Sequence, residues 1–518
     1  MIDKLKYECR IAMPEVDRRM ASSVEKALPE LFAKPEKEDT GRFPAELKLS
    51  SSYSTNGWDT VTVCRVSDLN RAVASQETYP LEMDHTVSEG TFTCRLSGKF
   101  SPWSVATGGD GANINLKISF ESGDFTVNDT SYPITSCEAV IQVRLDYFPQ
   151  PEKVADPGEY DLKLKKEKGE MRPVSVICFE SNLPSLVVES VAQTVFSEWL
   201  NTEETLNAID ILFATVQLSI YDSKDFEWLI PTYSSYAYTD VGGNPDESKF
   251  GVLCMLKDRI PPGVHQMPAV SFEEGNNLCF MLNREVYVEY QLLPSLPQAF
   301  EGASASDFRL NETDKISVTA TGLDLPPVTY LAVDYHPKLN QMTVNVEENR
   351  IVCMVDFDTE ISPGIVARTF VQTEHGLRLA ENDNKEPIME YYELSEPVIR
   401  NDVEVAAWVI VTEIIAEVIA AVIGLAVGKV VESVVQRVVI AVVVALTCAV
   451  ISVVIHVIIE KVIADGVKNA MPDISPMVQM ATKNVKWPFE TKPEENDTGF
   501  AVKKIGLNGT LYFEGVIV

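Results

Sequence analysis

The chain has no two cysteines at the spacing that zinc or redox chemistry requires. Its nine, Cys9, Cys64, Cys94, Cys137, Cys178, Cys254, Cys279, Cys353 and Cys448, are odd in number, and no two are closer than 25 residues. That pattern argues against a disulfide framework or a zinc site and for reduced, mostly buried thiols. Basic charge is also scarce. Asp and Glu number 76 against 44 Lys and Arg, a formal net charge of −32. A protein that binds bare nucleic acid needs a concentrated basic surface, and none is present. The one dense basic cluster, residues 163–168, is interrupted by Glu167 and reads as a solvated hairpin tip, with a phosphate or lipid-headgroup role as the lesser reading.

Histidine is nearly absent. The five are His85, His265, His336, His375 and His456, each far from the others in sequence. No HExxH, GxSxG, P-loop, GxGxxG or EF-hand pattern occurs. Gly424, Gly428 and Lys429 approach a P-loop, but Val430 stands where Ser or Thr is needed. Asp84-His85 and Glu374-His375 read as surface contacts, not acid–base pairs. The expectation is a protein that is not an enzyme, with no cofactor and no metal. The opening Met1-Ile2-Asp3-Lys4-Leu5-Lys6 has no apolar h-region. Synthesis into a reducing cytoplasm is therefore expected, with any release from the cell by an unconventional route or lysis.

What the chain does have is a long apolar segment, residues 403–467. Within it, 438–459 runs 22 residues with no formally charged side chain, and 14 of the 22 are Val or Ile. As a helix it would be about 33 Å long, enough to cross a hydrocarbon core of about 30 Å. Gly424 and Gly428 add a GxxxG spacing. Against spanning stand Glu404, Glu413, Glu417, Lys429, Glu432 and Arg437 in its first half, and the near-symmetric bracketing by Arg437 and Lys461. Hydropathy alone leaves spanning and burial both open.

Around this segment, strand patterns dominate. Ile114, Leu116, Ile118 and Phe120 alternate with polar residues, as do Met342, Val344 and Val346. A short helix is expected at 67 with Ser67 as its cap and Leu69, Ala72 and Val73 as its apolar face. Val187, Val191, Val195 and Trp199 recur every four residues and predict an amphipathic helix over 186–200. Residues 11–33 read as a further helix. Long antiparallel strands with isolated helices make an α+β chain.

Three stretches carry a resemblance. The first is Tyr53-Ser54-Thr55-Asn56-Gly57-Trp58-Asp59-Thr60-Val61. The second is Leu212-Phe213-Ala214-Thr215-Val216 with Glu227-Trp228-Leu229-Ile230-Pro231 and the aromatic strand after it. The third runs from Asn277 to Leu292-Leu293-Pro294-Ser295-Leu296-Pro297-Gln298-Ala299-Phe300. In order and spacing they resemble the accessory proteins encoded beside clostridial neurotoxins, the OrfX proteins and their forty-seven-kilodalton relative. That family is similar in fold to the tubular lipid-binding (TULIP) superfamily.

The resemblance implies a long apolar helix wrapped by strongly curved antiparallel sheets in an elongated molecule, which favours burial of 403–467 over spanning. Residues 1–45 depart from the family pattern and read as an N-terminal helical extension, ahead of a first TULIP-like unit (46–302) and a second unit (303–518) holding the apolar segment. The implied role is to bind a lipid or other hydrophobic ligand, a toxin, or related OrfX-like subunits. Membrane insertion through 403–467 and a purely structural scaffold stay open as alternatives. Gly424, Gly428 and Ala445 are chosen as groove residues for their small size. His456, inside the apolar run, is expected in the core beside them. The motif residues read as structural. Asn56-Gly57 is a turn, Trp58 an anchor against the wrapped helix and Asp59 a backbone partner. Trp228 and Pro231 belong to the motif, and Pro294 and Pro297 are terminators.

Overall fold

The computed structural model describes residues 8–12, 53–149, 158–167, 172–218, 226–268, 270–406, 413–448, 455–466, 470–489 and 500–517. They form mostly antiparallel sheets with a few helices, one of them long and apolar. Two compact units result, and both are discontinuous in sequence. Unit one comprises Arg284–Met477 and Ile505–Leu511 together with the strand Glu8–Ala12. Unit two comprises Tyr53–Asn283, Val478–Lys504 and Tyr512–Val518. The boundary therefore lies at 283/284, where the strand Leu278–Asn283 runs directly into a helix, and not at 302/303 as the sequence suggested.

The helices used below are α1 (Val66–Gln76), α2 (Leu186–Leu200), α3 (Glu203–Ala208), α4 (Arg284–Tyr287), α5 (Leu293–Ala299), α6 (Glu413–Thr447) and α7 (Ile455–Asp465). Unit two is organised on a large sheet. In it Ile114, Leu116, Ile118 and Phe120 point inward from the strand Asn113–Val127, as their alternation predicts. Helix α1 begins one residue before its expected cap. The strand Thr60–Arg65 turns straight into it, and the carbonyls of Ser248 and Pro245 accept from the N–H groups of Val66 and Ser67. Those contacts satisfy the orphan donors of the first turn, so no side-chain cap is required.

Helix α2 spans the predicted residues, capped by Ser185, whose hydroxyl accepts from Val188 N–H at 3.3 Å. Its buried face is Ala192, Val195, Phe196, Trp199 and Leu200. Val187, expected on that face, is exposed at the helix start. Phe196 and Trp199, stacked on each other, join Phe100, Phe120 and Phe179 in an aromatic cluster of edge-on and tilted contacts. Such ring pairs add about 0.5–1.5 kcal/mol each beyond their area.

Unit one holds an eight-stranded sheet. Its path runs Glu8–Ala12, Val398–Val405, Ile365–Glu381, Ile351–Ser362, Pro337–Val346, Ser317–Asp324, Phe308–Leu310, with Pro387–Glu393 also paired to Ile365–Glu381. Glu8–Ala12 pairs parallel with Val398–Val405, Glu8 opposite Arg400. Residues 8–12 are thus strand within the region expected to be a helical extension; 13–52 lie outside the described residues. A separate hairpin, Val328–Tyr330 with Val333–Tyr335, stands apart as its own two-stranded sheet.

The apolar segment is not one helix. Its first residues finish the strand Val398–Val405, and it then forms α6 and α7. An Arg437–Glu460 ion pair ties α7 back along α6, so the two fold into a hairpin. Helix α6 packs against α5, α7 and the strands Val328–Tyr330, Pro337–Val346, Ile351–Ser362 and Ile365–Glu381. Its stretch Ala426–Thr447 is long and apolar enough to cross a membrane, yet most of it is buried inside the fold. A helix apolar all round is normally a core helix.

Candidate functional site

Of the residues chosen for a groove beside the apolar helix, Ala445 is fully buried, and Gly424 and Gly428 are half-buried on α6. His456 sits on the outer face of α7 and is exposed, so it is not a core residue. Its apolar neighbours in sequence misled, because α7 turns one side outward and Val457 is exposed too. The backbone at Glu413 and Glu417 belongs to α6, but their side chains lie outside the described residues.

Ala445 instead takes part in a polar latch. Gln291, fully buried, donates through Nε2 to the carbonyls of Ala445 (2.8 Å) and Cys448 (2.6 Å), and Tyr287 Oη donates to the Leu446 carbonyl at 2.8 Å. Burial holds the Tyr287 phenol well above its ordinary pKa, which keeps it a donor. The last carbonyls of a helix have no intrahelical partner, and here side chains from another element supply them. Gln291 reaches them from a π-helical turn, Val288–Leu292, between α4 and α5. That turn also explains Pro294 and Pro297. They do not terminate the helix: the π-turn bond from Leu293 N–H to the Val288 carbonyl precedes Pro294, and the helix continues through Pro297 to Ala299.

The remaining motif residues build the core of unit two. Asn56 (φ 52) and Gly57 (φ 88) make the left-handed turn, and a Cβ on Gly57 would also crowd Pro262. Trp58 is buried, donates from Nε1 to the Val264 carbonyl at 2.9 Å and stacks on Tyr233. Its neighbours are Val61, Val63, Leu253, Met255 and Met281 of its own sheet, where the sequence placed it against the apolar helix. Asp59 is fully buried, accepts from Leu256 N–H at 2.9 Å and pairs with Arg259 at 3.3 Å. Trp228 lies buried in the short turn Glu227–Leu229, and Pro231 opens the strand Pro231–Thr239. Asp59→Asn keeps an acceptor for Leu256 and loses the pairing with half-exposed Arg259. The expected cost is about 1.5 kcal/mol in a urea titration, with any ligand binding unchanged.

The candidate site lies elsewhere in unit two. A cleft of about 930 Å³ opens between the strands Glu82–Glu89, Phe92–Phe100, Asn113–Val127 and Thr130–Ile134 and the α2–α3 junction. Its floor is a cross-strand row of directly opposed residues, Met83, Gly98, Gly123 and Ile134. The two central glycines are required. A Cβ on Gly98 would lie 2.6 Å from Phe120 Cδ1, and one on Gly123 2.6 Å from the Ser97 carbonyl. Trp199 and Thr205 close the wall, and Pro80 and Ala208 reach the mouth. Glu82, Asp124, Glu204 and Lys99 mark the rim. Arg95 beside Asp84 (Nε to Oδ1, 2.7 Å) holds that carboxyl below the usual carboxylate range. His85 also borders the cleft, so Asp84-His85 is a rim pair.

This is a binding geometry, with apolar groups on the floor and charge at the mouth. The six elements that make it come from residues 80 to 208, and no short spacing marks them in sequence. The opposed glycines in two strands were the available signal. Among the described residues no group of His, Cys, Asp and Glu is arranged to hold a metal. Burial pushes the Cys137, Cys353 and Cys448 thiols up to about 12, unsuited to nucleophilic work. Lysines of the basic cluster are neutralised: Lys163 by Asp161 and Asp210, Lys165 by Asp146. Lys168 lies outside the described residues.

Comparison with known proteins agrees with the fold. Protein OrfX3 of Paraclostridium bifermentans is 28% identical over 396 residues, 69% of this chain and 79% of that protein. Protein OrfX3 of Clostridium botulinum (strain Kyoto / Type A2) is 22% identical over 396 residues, 68% of this chain and 78% of that one. The solved structure of P47 from Clostridium botulinum A2 superposes with a TM-score of 0.63 at 14% identity, covering 91% of this chain and all of P47. P47 of Clostridium botulinum E1 gives 0.61 at 15% identity, over 90% of this chain and all of that one. A family model described as OrfX-like, Protein OrfX2/OrfX3/P47, matches residues 55–515, and the chain therefore belongs to the OrfX-like family of OrfX2, OrfX3 and P47.

Proposed function

We propose that this chain is a non-enzymatic, TULIP-like accessory protein of a toxin gene cluster that holds a lipid or similar apolar molecule in the cleft of unit two. The observation that carries this reading is the cleft itself: Met83, Ile134 and Trp199 share its interior with Ser97, Ser122 and Thr205 behind a rim of Glu82, Lys99, Asp124 and Glu204. Its volume of about 930 Å³ suits one lipid-sized or drug-sized molecule. Burying an acyl chain there contributes about 0.8 kcal/mol per CH₂, with no covalent step. The packing of α6 against strands of the eight-stranded sheet is in keeping with a TULIP wrapping, with the small residues Gly424 and Gly428 half-buried on it. Its partners would be a protein toxin or related OrfX-like subunits, met after release from the cytoplasm.

A membrane-inserting reading draws on the length of Ala426–Thr447. It would require breaking the Gln291 and Tyr287 latch and the Arg437–Glu460 pair, so it is the second reading.

Native mass spectrometry of the intact chain, followed by organic extraction, tests the first. Wild type is expected to carry a defined lipid near unit stoichiometry. Ala208→Trp, at the exposed mouth, is expected to lose at least about 90% of it through filled volume while melting normally. A lipid-free wild type, or an A208W protein that keeps its lipid, would falsify the cleft as the binding site.

A further inference from the structure

The hairpin Val328–Tyr330/Val333–Tyr335 turns through Leu331 and Ala332, both in the left-handed region at φ 49 and 62. Two-residue hairpin turns that need two positive φ values are normally Asn-Gly, Asp-Gly or Gly-Gly. A Cβ at such a position is strained, and a bulky side chain more so. At Asn56-Gly57, another pair of consecutive positive φ values, the residues are polar and glycine. Among the described residues, Leu331-Ala332 is the only apolar pair placed consecutively at positive φ. The tip is also exposed: Leu331 is 74% and Val333 47% accessible, while Val328 and Tyr335 at the base are buried. The hairpin is held firmly. Its base packs on α6, and Thr329 Oγ1 donates to Asp334 at 2.6 Å across the strands. A rigid hairpin thus presents Leu331, Ala332 and Val333 to solvent, with Tyr330 half-buried beside them, and holds Leu331 and Ala332 in the conformation least suited to them. Foldability alone favours Asn-Gly at this turn, so the apolar tip serves something outside the fold.

We propose that residues 330–333 form a membrane-docking tip that enters the interface of an uncharged, zwitterionic bilayer. The tip carries no charge, and the chain as a whole carries −32, which repels anionic headgroups. A stable protein contact uses roughly 20–30 residues a side. Four residues on a convex turn fall far short of that, but suffice to place Leu331 and Val333 below the headgroups with the Tyr330 ring at their level. The inference is independent of the cleft, since A208W is expected to leave it unchanged.

The test is flotation of the full chain with vesicles of pure phosphatidylcholine and of phosphatidylcholine doped with phosphatidylserine. Wild type is expected to float on the neutral vesicles and less on the doped ones. L331N/A332G, which installs the turn's preferred residues, is expected to lose about tenfold or more in partitioning with an equal or higher Tm. Leu331→Trp gives a second readout: its fluorescence should shift to the blue on neutral vesicles and be quenched by lipids brominated on the acyl chain. Failure of wild type to float overturns the proposal, as does an L331N/A332G protein that floats like wild type, or an L331W emission that vesicles leave unmoved. Self-association that vanishes in L331N/A332G without any vesicle binding would assign the tip to a protein contact, and also overturns it.

Discussion

Replacing Gln291 with Met is expected to destabilise unit one by about 3 kcal/mol, or roughly 6–12 °C in its melting midpoint. Met matches the volume of Gln and cannot donate. Two buried carbonyls, of Ala445 and Cys448, would lose the Nε2 donor that serves both. An unsatisfied buried acceptor costs about 1–3 kcal/mol. The sum is moderated because Gln291 Oε1 itself has no partner among the described residues, so its removal returns something. Tyr287→Phe removes one donor from one carbonyl and is expected to cost about 1–2 kcal/mol. The double variant should cost less than the sum, since both groups hold the same helix end. Calorimetry of Q291M, Y287F and the pair measures all three. A Q291M protein that melts with wild type would mean that the end of α6 finds other donors.

Acidification from pH 6.5 to 4 is expected to cost unit one about 3 kcal/mol through a single residue, His375. His375 is 3% exposed on the strand Ile365–Glu381, neither ring nitrogen has a hydrogen-bond partner among the described residues, and burial holds its pKa down to about 4. Tyr391 meets it edge-on, Ile351 and Glu393 are its cross-strand neighbours, and the Glu374 beside it is engaged by Arg350 at 2.9 Å. No carboxylate lowers the cost of charging the ring, since burial alone sets the shift. The folded state keeps the ring neutral, while the unfolded chain binds a proton near pH 6.5. Stability is therefore full above pH 6.5, falls as pH drops through the window, and levels off below about 4. The depressed carboxyl of Asp84 acts below the ordinary carboxylate value and so outside most of this range. His375→Phe, which keeps the edge-on contact, should flatten the slope between pH 6.5 and 4. Urea midpoints of both proteins at half-unit pH steps decide it, and an unchanged slope in H375F would move the pH dependence to other groups.

Much of this fold could be read from local pattern. The bounds of helix α2 were legible because its apolar residues recur at helical spacing. Strands such as Pro337–Val346 were legible because one face is buried and the alternation survives. The break in the apolar segment was not. Val, Ile and Ala dominate 448–455 with no Gly or Pro, and the fold-back shows only in the packing of α7 on α6 and the Arg437–Glu460 pair. Pro294 and Pro297 misled for the opposite reason: a strong local breaker was absorbed by a π-turn that has no sequence signature. The motif residues were recognised, but their packing partners depend on tertiary neighbours such as Leu253 and Met281. The cleft was illegible because its walls converge from distant strands and helices.

The interleaving of the two units has a consequence for synthesis. Unit two begins at Tyr53 but needs the strands Phe500–Leu507 and Thr510–Ile517, and Glu8–Ala12 must wait for Val398–Val405. At about 5–20 residues per second, the first strand leaves the ribosome tens of seconds before its partner exists. The eight-stranded sheet of unit one can pair fully only after Val405 is made, and the large sheet of unit two only after Thr510–Ile517, so the latter keeps an unpaired edge through nearly all of elongation. The nascent chain, with that edge still open, is the species that chaperones must shelter.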